Sequence, residues 1–274
     1  RSLTGVKAKD KPADPIIVHP DVRRMLMKQK AFVEGARALA LWTGLMIDFA
    51  SKHPDPDERQ KADDCAAFIT PVVKAYLTDM GFECAVEAMQ VYGGHGFIHE
   101  WGMEQYVRDA RITMIYEGAN GVQALDLVGR KLGMNGGKAL MSYFAMLAAF
   151  GKENAGDEDI AKDFLGPLKA AAKDMQTAAM YFMSEGAKNP NNALSGSNDF
   201  MHLFGHVMRG YAWARMAVPA TAGLANNPSD PDFYENKIRT GRYYMSRCLP
   251  ETGMRLARIQ SGAAPVMDMP AEAF

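Results

Sequence analysis

Apolar residues recur along this chain at intervals of three, four or seven, the repeat that gathers them on one face of a 3.6-residue helix. After a proline-rich opening at Pro12, Pro15 and Pro20, one stripe runs through Met25, Phe32, Ala36, Leu39, Met46 and Ala50. His53-Pro54-Asp55-Pro56 interrupts it. A second long helix is expected over 57–91, kinked at Pro71, which lacks an N–H and crowds the preceding turn. That helix should stop at Gly93-Gly94-His95-Gly96. A short amphipathic segment is expected over 103–111, followed by the apolar run 112–116. The loop Glu117-Gly118-Ala119-Asn120-Gly121 comes next, and a further helix is expected over 122–132.

The second half repeats the helical rhythm in a different texture. Ile160, Phe164, Leu168, Ala172, Met175, Ala179 and Met183 trace one stripe, and Phe200, Leu203, Phe204, Val207, Tyr211 and Ala214 trace the next. Asn189-Pro190 and Asn226-Asn227-Pro228 punctuate. A last helical region starts near Asp232, is interrupted at Pro250 and fades by Gly262. Sustained apolar–polar alternation and Asn-Gly hairpins between β-branched runs are both missing. The fold expected is all-α: an antiparallel helical bundle over 1–133, followed by a second small helical bundle over 134–274. The join falls at Gly133 and Asn135-Gly136-Gly137, and no repeat of fixed period is visible.

Composition narrows the class. Over 274 residues, 31 Lys and Arg face 32 Asp and Glu, leaving a net charge of −1. A balance this even gives no footprint for a phosphate backbone, so nucleic acid is an unfavoured partner. A hydrophobic fraction of 48% supports a substantial core. Cys65, Cys84 and Cys248 are too few and scattered for a disulfide scaffold, which fits a reducing compartment such as the cytoplasm. The longest uncharged stretches, 139–151 and 216–229, fall short of the roughly 20 residues that cross a bilayer. The chain opens on Arg1 without a basic-then-apolar leader, and is expected to be a piece of something longer.

Few constellations carry chemistry. Gly93, Gly94 and Gly96 cluster at a helix end, where bare backbone admits close approach by a partner or simply makes a tight turn. Glu117 lies on a glycine-flanked loop beside apolar residues. Desolvation there would raise a carboxylate from about 4.3 toward neutrality and make it a usable general base. The plainer reading is a carboxylate favouring the positive end of the helix that follows. His202 and His206 lie four apart, as a zinc pair would, but no HExxH pattern or third ligand accompanies them, and two half-buried bundle histidines are the better expectation. His95 and His99 sit in or beside a glycine turn that fixes no common face, so no metal site is expected. The cysteines and most of the 20 methionines read as packing.

Two segments carry a resemblance. QVYGGHGF, Gln90 to Phe97, is similar to the Gln-x-x-Gly-Gly-x-Gly-Phe element of acyl-CoA dehydrogenase C-terminal domains. YVRDARITMIYEGANGVQALDLVGRKL resembles that family's Arg-Asp-Ala…Ile-Tyr-Glu-Gly signature, in the expected order and spacing. Arg1-Ser-Leu-Thr-Gly5 resembles its Arg-x-Phe-Gly segment, and the match covers about 1–133. The remainder, with KIRTGRYYMSR and ARIQSGAAP, resembles the extra helical domain of the subgroup that includes 3-methylmercaptopropionyl-CoA dehydrogenases. The resemblance implies α,β-dehydrogenation of an acyl-CoA thioester. Glu117 is then the base that takes the α-proton, Gly118 and Tyr116 lie at the substrate, and FAD is contacted by Arg1, Gln90, Gly93 and Gly94. Ala119-Asn120-Gly121 replaces the family's Thr-Ser-Gln, so that either the Asn120 amide takes over part of the adenine contact or the backbone suffices. Also implied are a homodimer or homotetramer and electron-transfer flavoprotein as acceptor. The family's flavin- and CoA-holding domains are not in this sequence, so the isolated chain is expected to be inactive. An acyl-CoA oxidase and a silent oligomerisation module are the alternatives.

Overall fold

The computed structural model describes residues 2–226 and 228–274. The chain is all-α, and no strand occurs among the described residues. Two rods dominate the first half, α1 (Pro20–Lys52) and α2 (Pro56–Val91). At about 1.5 Å per residue each is roughly 50 Å long. They pair as an antiparallel hairpin because His53-Pro54-Asp55 cannot continue the helix. Asp55 then caps α2 by accepting the backbone N–H of Asp57 at 2.9 Å, with Pro56 at the first helical position.

The helix does not break at Pro71: α2 runs through it without interruption. A proline at this position leaves the carbonyl four residues back without its donor. That carbonyl belongs to Ala67, and the buried Lys131 ammonium donates to it. Lys131 lies in a π-helical turn, Leu127–Lys131, that continues α5 (Asn120–Asp126). A basic residue thus repairs a defect sixty residues away in sequence. Between α2 and α5 lie the one-turn α3 (Gly94–Phe97) and the amphipathic α4 (Met103–Ile112).

The linker-like residues form a turn in which Asn135, Gly136 and Gly137 all take positive φ, at 53°, 69° and 79°. Beyond it come α6 (Lys138–Glu153), α7 (Glu158–Ile160), a second π turn (Ala161–Leu165), α8 (Gly166–Lys188), α9 (Pro190–Ser195), α10 (Ser197–Ala225), α11 (Pro231–Arg247) and α12 (Glu251–Gln260). The helix α10 is buried nearly all round from Phe200 to Tyr211, the mark of a central helix. It lies against α1 and α2 as well as α8, α11 and α12, so both halves feed one core. Phe68 of α2, Tyr143 of α6 and Phe204 of α10 meet edge-on or tilted at centroid distances of 5.1 to 5.6 Å. Trp213 of α10 donates its indole N–H to the Ala31 carbonyl of α1 at 3.0 Å. Of the stripe on α8, Leu168, Met175 and Ala179 are buried and Ala172 is half-buried, but its last member, Met183, is 76% exposed.

One glycine lets α10 and α2 approach. The Tyr76 ring lies flat on Gly205, and any Cβ there would overlap it. Tyr76 is fully buried and flanked by His202 and His206, so it has nowhere to retreat. Gly205→Ala should therefore cost about 1–3 kcal/mol in urea unfolding. Gly81→Ala, at a helical site where a Cβ meets nothing within 4 Å, should gain about 0.4–1 kcal/mol. Equal effects at the two positions would refute this account of the contact.

Candidate functional site

The end of α2 is built to turn the chain sharply with its backbone exposed. Tyr92 closes the helix by donating to Ala88 and Met89, and Gly93 then adopts φ 61° and ψ −143°, a conformation open to glycine alone among common residues. Gln90, Gly93 and Gly94 are all exposed, and a Cβ added at either glycine would meet nothing within 4 Å. This stretch of backbone faces open space with an amide side chain one turn before it.

The second element is the loop from Thr113 to Ala119, between α4 and α5. Tyr116 N–H donates back to Ile112 at 3.2 Å, and Asn120 N–H donates to Met114 at 3.1 Å, which pinches the loop at its base. Glu117 stands at the tip with φ 55°, followed by Gly118 at φ 85°. A left-handed glutamate is held at a cost of about 1–3 kcal/mol, a strain that persists only where the surroundings impose it. The Glu117 side chain is exposed. Apolar side chains on either side are exposed too: Tyr106 at 67%, Ile112, Ile115 and Tyr116 at 52%, and Val122 at 59%.

What fixes the loop lies behind it. The Asn120 side chain is buried, its Oδ1 accepting from Lys74 Nζ at 2.8 Å. Its Nδ2 is directed at the Ala75 carbonyl, Thr78 Oγ1 and Asp79 Oδ1 at 3.1, 2.9 and 2.7 Å. Asp79 Oδ2 in turn meets His202 Nε2 of α10 at 2.9 Å. Every polar atom of the Asn120 side chain is turned inward and used. Asn120 rivets the loop to α2. Lys74, Asp79 and His202 complete the rivet, and the sequence reading assigned none of them this part. Their signal was the polar triplet Lys74, Thr78, Asp79 on one side of an otherwise apolar stretch of α2.

The histidine pair is also not half-buried. His202 is 5% exposed and His206 is 0% exposed. They do not share a ligand: His206 Nδ1 lies 3.3 Å from both the Tyr76 and Tyr244 hydroxyls, and its Nε2 faces Glu251 at 3.3 Å. Burial pushes the His206 imidazolium down to about 4, with Glu251 opposing and Arg209 assisting. Burial would raise Glu251, but His206 and the Arg255 guanidinium at 2.6 Å outweigh it and hold the carboxyl well below its usual range. His95 packs edge-on against Trp101, while His99 pairs with Glu104 at 3.0 Å. No cluster able to hold a metal ion occurs among the described residues. Cys84 is buried, its thiol pushed up to about 11 by desolvation, and Cys65 donates to the Tyr143 hydroxyl. Arg1 lies outside the described residues. No helix among them is long and apolar enough to cross a membrane.

The chain is similar to known proteins along most of its length. Residues 5–132 match the model of the acyl-CoA dehydrogenase C-terminal domain, and residues 143–270 match that of an acetyl-CoA dehydrogenase C-terminal-like domain. The 3-methylmercaptopropionyl-CoA dehydrogenase of Ruegeria pomeroyi is 37% identical over 90% of this chain and 42% of its own length. A butyryl-CoA dehydrogenase of Syntrophomonas wolfei is 32% identical over 96% of this chain and 43% of its own. The chain thus spans less than half the length of these curated relatives. Among solved structures, Caenorhabditis elegans ACDH-11, crystallised with C11-CoA, superposes with a TM-score of 0.70 over 87% of this chain and 38% of that one at 17% identity, a likeness of fold. With both C-terminal helical domains matched in sequence order, the chain belongs to the acyl-CoA dehydrogenase family.

Proposed function

We propose that this chain forms the C-terminal part of an FAD-dependent acyl-CoA dehydrogenase in which Glu117 takes the α-proton of the acyl thioester. The observation that carries the reading is the left-handed φ of 55° at Glu117, on a loop riveted from behind. A glycine would hold that conformation without strain, so a glutamate kept there points to the carboxylate itself. Its backbone N–H donates to no described residue and is free to meet a thioester oxygen as enolate charge develops.

The flanking apolar side chains support the same reading. Tyr116 and Ile115 offer exposed surface against which the rest of the enzyme, or a second copy, would close and dry the site. Closure of that kind would desolvate the base and favour its role as a proton acceptor. Gln90 and the open Gly93-Gly94 backbone fit contacts to the nucleotide half of FAD, whereas Asn120 does not. When bound, FAD supplies the two-electron acceptor for the β-hydrogen. The chain's own part is to remove the α-proton onto a Glu117 oxygen, leaving that electron pair to form the new double bond. Electron-transfer flavoprotein is the acceptor proposed downstream.

The complete enzyme, loaded with FAD, should reduce an artificial dye with acyl-CoA substrates, butyryl-CoA and 3-methylmercaptopropionyl-CoA being the first to try. This 274-residue chain alone should not. Failure of the flavin-loaded complete enzyme with short, medium and long acyl-CoAs would overturn the proposal, and peroxide release with oxygen as sole acceptor would move the protein to the oxidases.

A further inference from the structure

A cavity of about 340 Å³ opens between α1, α2, α10, α11 and the start of α12, and none of the residues proposed for flavin or substrate lines it. Its walls carry the cations Arg24, Lys28, Arg209 and Arg247, with Glu251 as a carboxylate. Most of this charge is already matched. Arg24 pairs with Asp21 and Glu87, Lys28 with Glu83 and Glu87, and Glu251 with Arg255.

Arg209 is different. It is 1% exposed, and no acceptor among the described residues takes a hydrogen bond from its Nε or Nη1. Its guanidinium carbon lies 4.6 Å from the Tyr244 ring centre and 5.2 Å from those of Phe32 and Tyr76. Aromatic rings steady a cation through their faces, but they accept nothing from the in-plane N–H donors. A guanidinium cannot escape by losing its proton, as a buried lysine would. Buried donors left unmade are costly, and a charged group raises that cost. At the cavity mouth stands Arg247, exposed and without a carboxylate partner among the described residues. Two arginines with no carboxylate partner among the described residues, one deep and one at the rim, therefore share one cavity. Its size lies at the small end of ligand pockets, about 300–1,000 Å³.

We propose that this cavity binds a small oxyanion, a carboxylate or phosphate group, held by the charge of the Arg209 guanidinium on its inner wall with Arg247 closing over it. Guanidinium groups bind such oxyanions through charge-assisted hydrogen bonds, and the surrounding low dielectric strengthens the pairing. Glu251 does not repel the ligand outright, because the Arg255 guanidinium already engages its Oε1.

Inorganic phosphate and malonate, each titrated into the full chain by calorimetry against sodium chloride at matched ionic strength, test the site and separate the two sources of anion. Saturable binding of at least one is expected, and the tighter of the two names the ligand's head group. Arg209→Met should abolish it. Since that change can also unfold the core, Arg247→Gln, at an exposed position, should weaken binding roughly fivefold in a folded chain. Arg37→Gln, an exposed arginine of α1 outside the cavity, should leave it unchanged. No saturable heat beyond chloride, or binding that Arg247→Gln leaves as tight as before, would sink the proposal.

Discussion

Glu117→Gln in the complete enzyme should lower acyl-CoA turnover by roughly 10²–10⁴-fold, the usual worth of a positioned general base. Glutamine keeps the length, the amide-for-carboxylate shape and the backbone N–H, so flavin content and substrate affinity should stay near wild type. What it removes is the ability to hold the α-proton. A second substitution at the same position separates chemistry from architecture. Glu117→Gly relieves the φ of 55° that glutamate holds under strain. It should leave the unfolding midpoint of the chain undiminished while turnover is lost as fully as with glutamine. A purely structural glutamate predicts the reverse for both variants. Near-normal rates with Glu117→Gln would end the assignment, whatever the fold.

The helical architecture was legible because its signals are local. The stripe through Met25, Phe32, Ala36 and Leu39 is buried as its spacing required. The prolines and asparagines that stop helices do so where they stand. What sequence does not tell is that the carbonyl freed by Pro71 is met by Lys131, far along the chain. The same holds at the site. The Tyr-Glu-Gly-Ala-Asn-Gly loop could be picked out, but not that its Asn120 reaches back to Lys74, Thr78 and Asp79. His202 and His206 show the limit most plainly. Four-residue spacing tells that two rings share a helix face, but not that one meets Asp79 and the other Glu251 across different helices. The isolated Arg209, pressed among three rings, left no mark in the sequence at all.

Acid should destabilise the chain through His206 before it touches most carboxylates. Folded, this histidine titrates at about 4, because burial disfavours its charged form and Arg209 adds to the penalty. Unfolded, it returns to about 6.5. Between those values the unfolded chain binds the extra proton, so stability is fully present above about 6.5 and drains away as the pH falls toward 4. A shift of this size is worth about 2–3 kcal/mol between pH 7 and pH 4.5. Glu251 acts in the same direction but later: its folded carboxyl is held below the usual range, so its contribution goes only as the pH passes below the unfolded carboxylate value. Urea midpoints at pH 7 and 4.5 should therefore diverge in the wild-type chain and converge in His206→Gln, which has no proton to gain. The comparison is of slopes, so a general loss of stability in the variant does not confound it. An equal drop in both proteins would mean that His206 is already protonated in the fold, sharing its proton with Glu251 as an ion pair. The cluster of Tyr76, Tyr244 and Arg209 around it would then hold two cations rather than one.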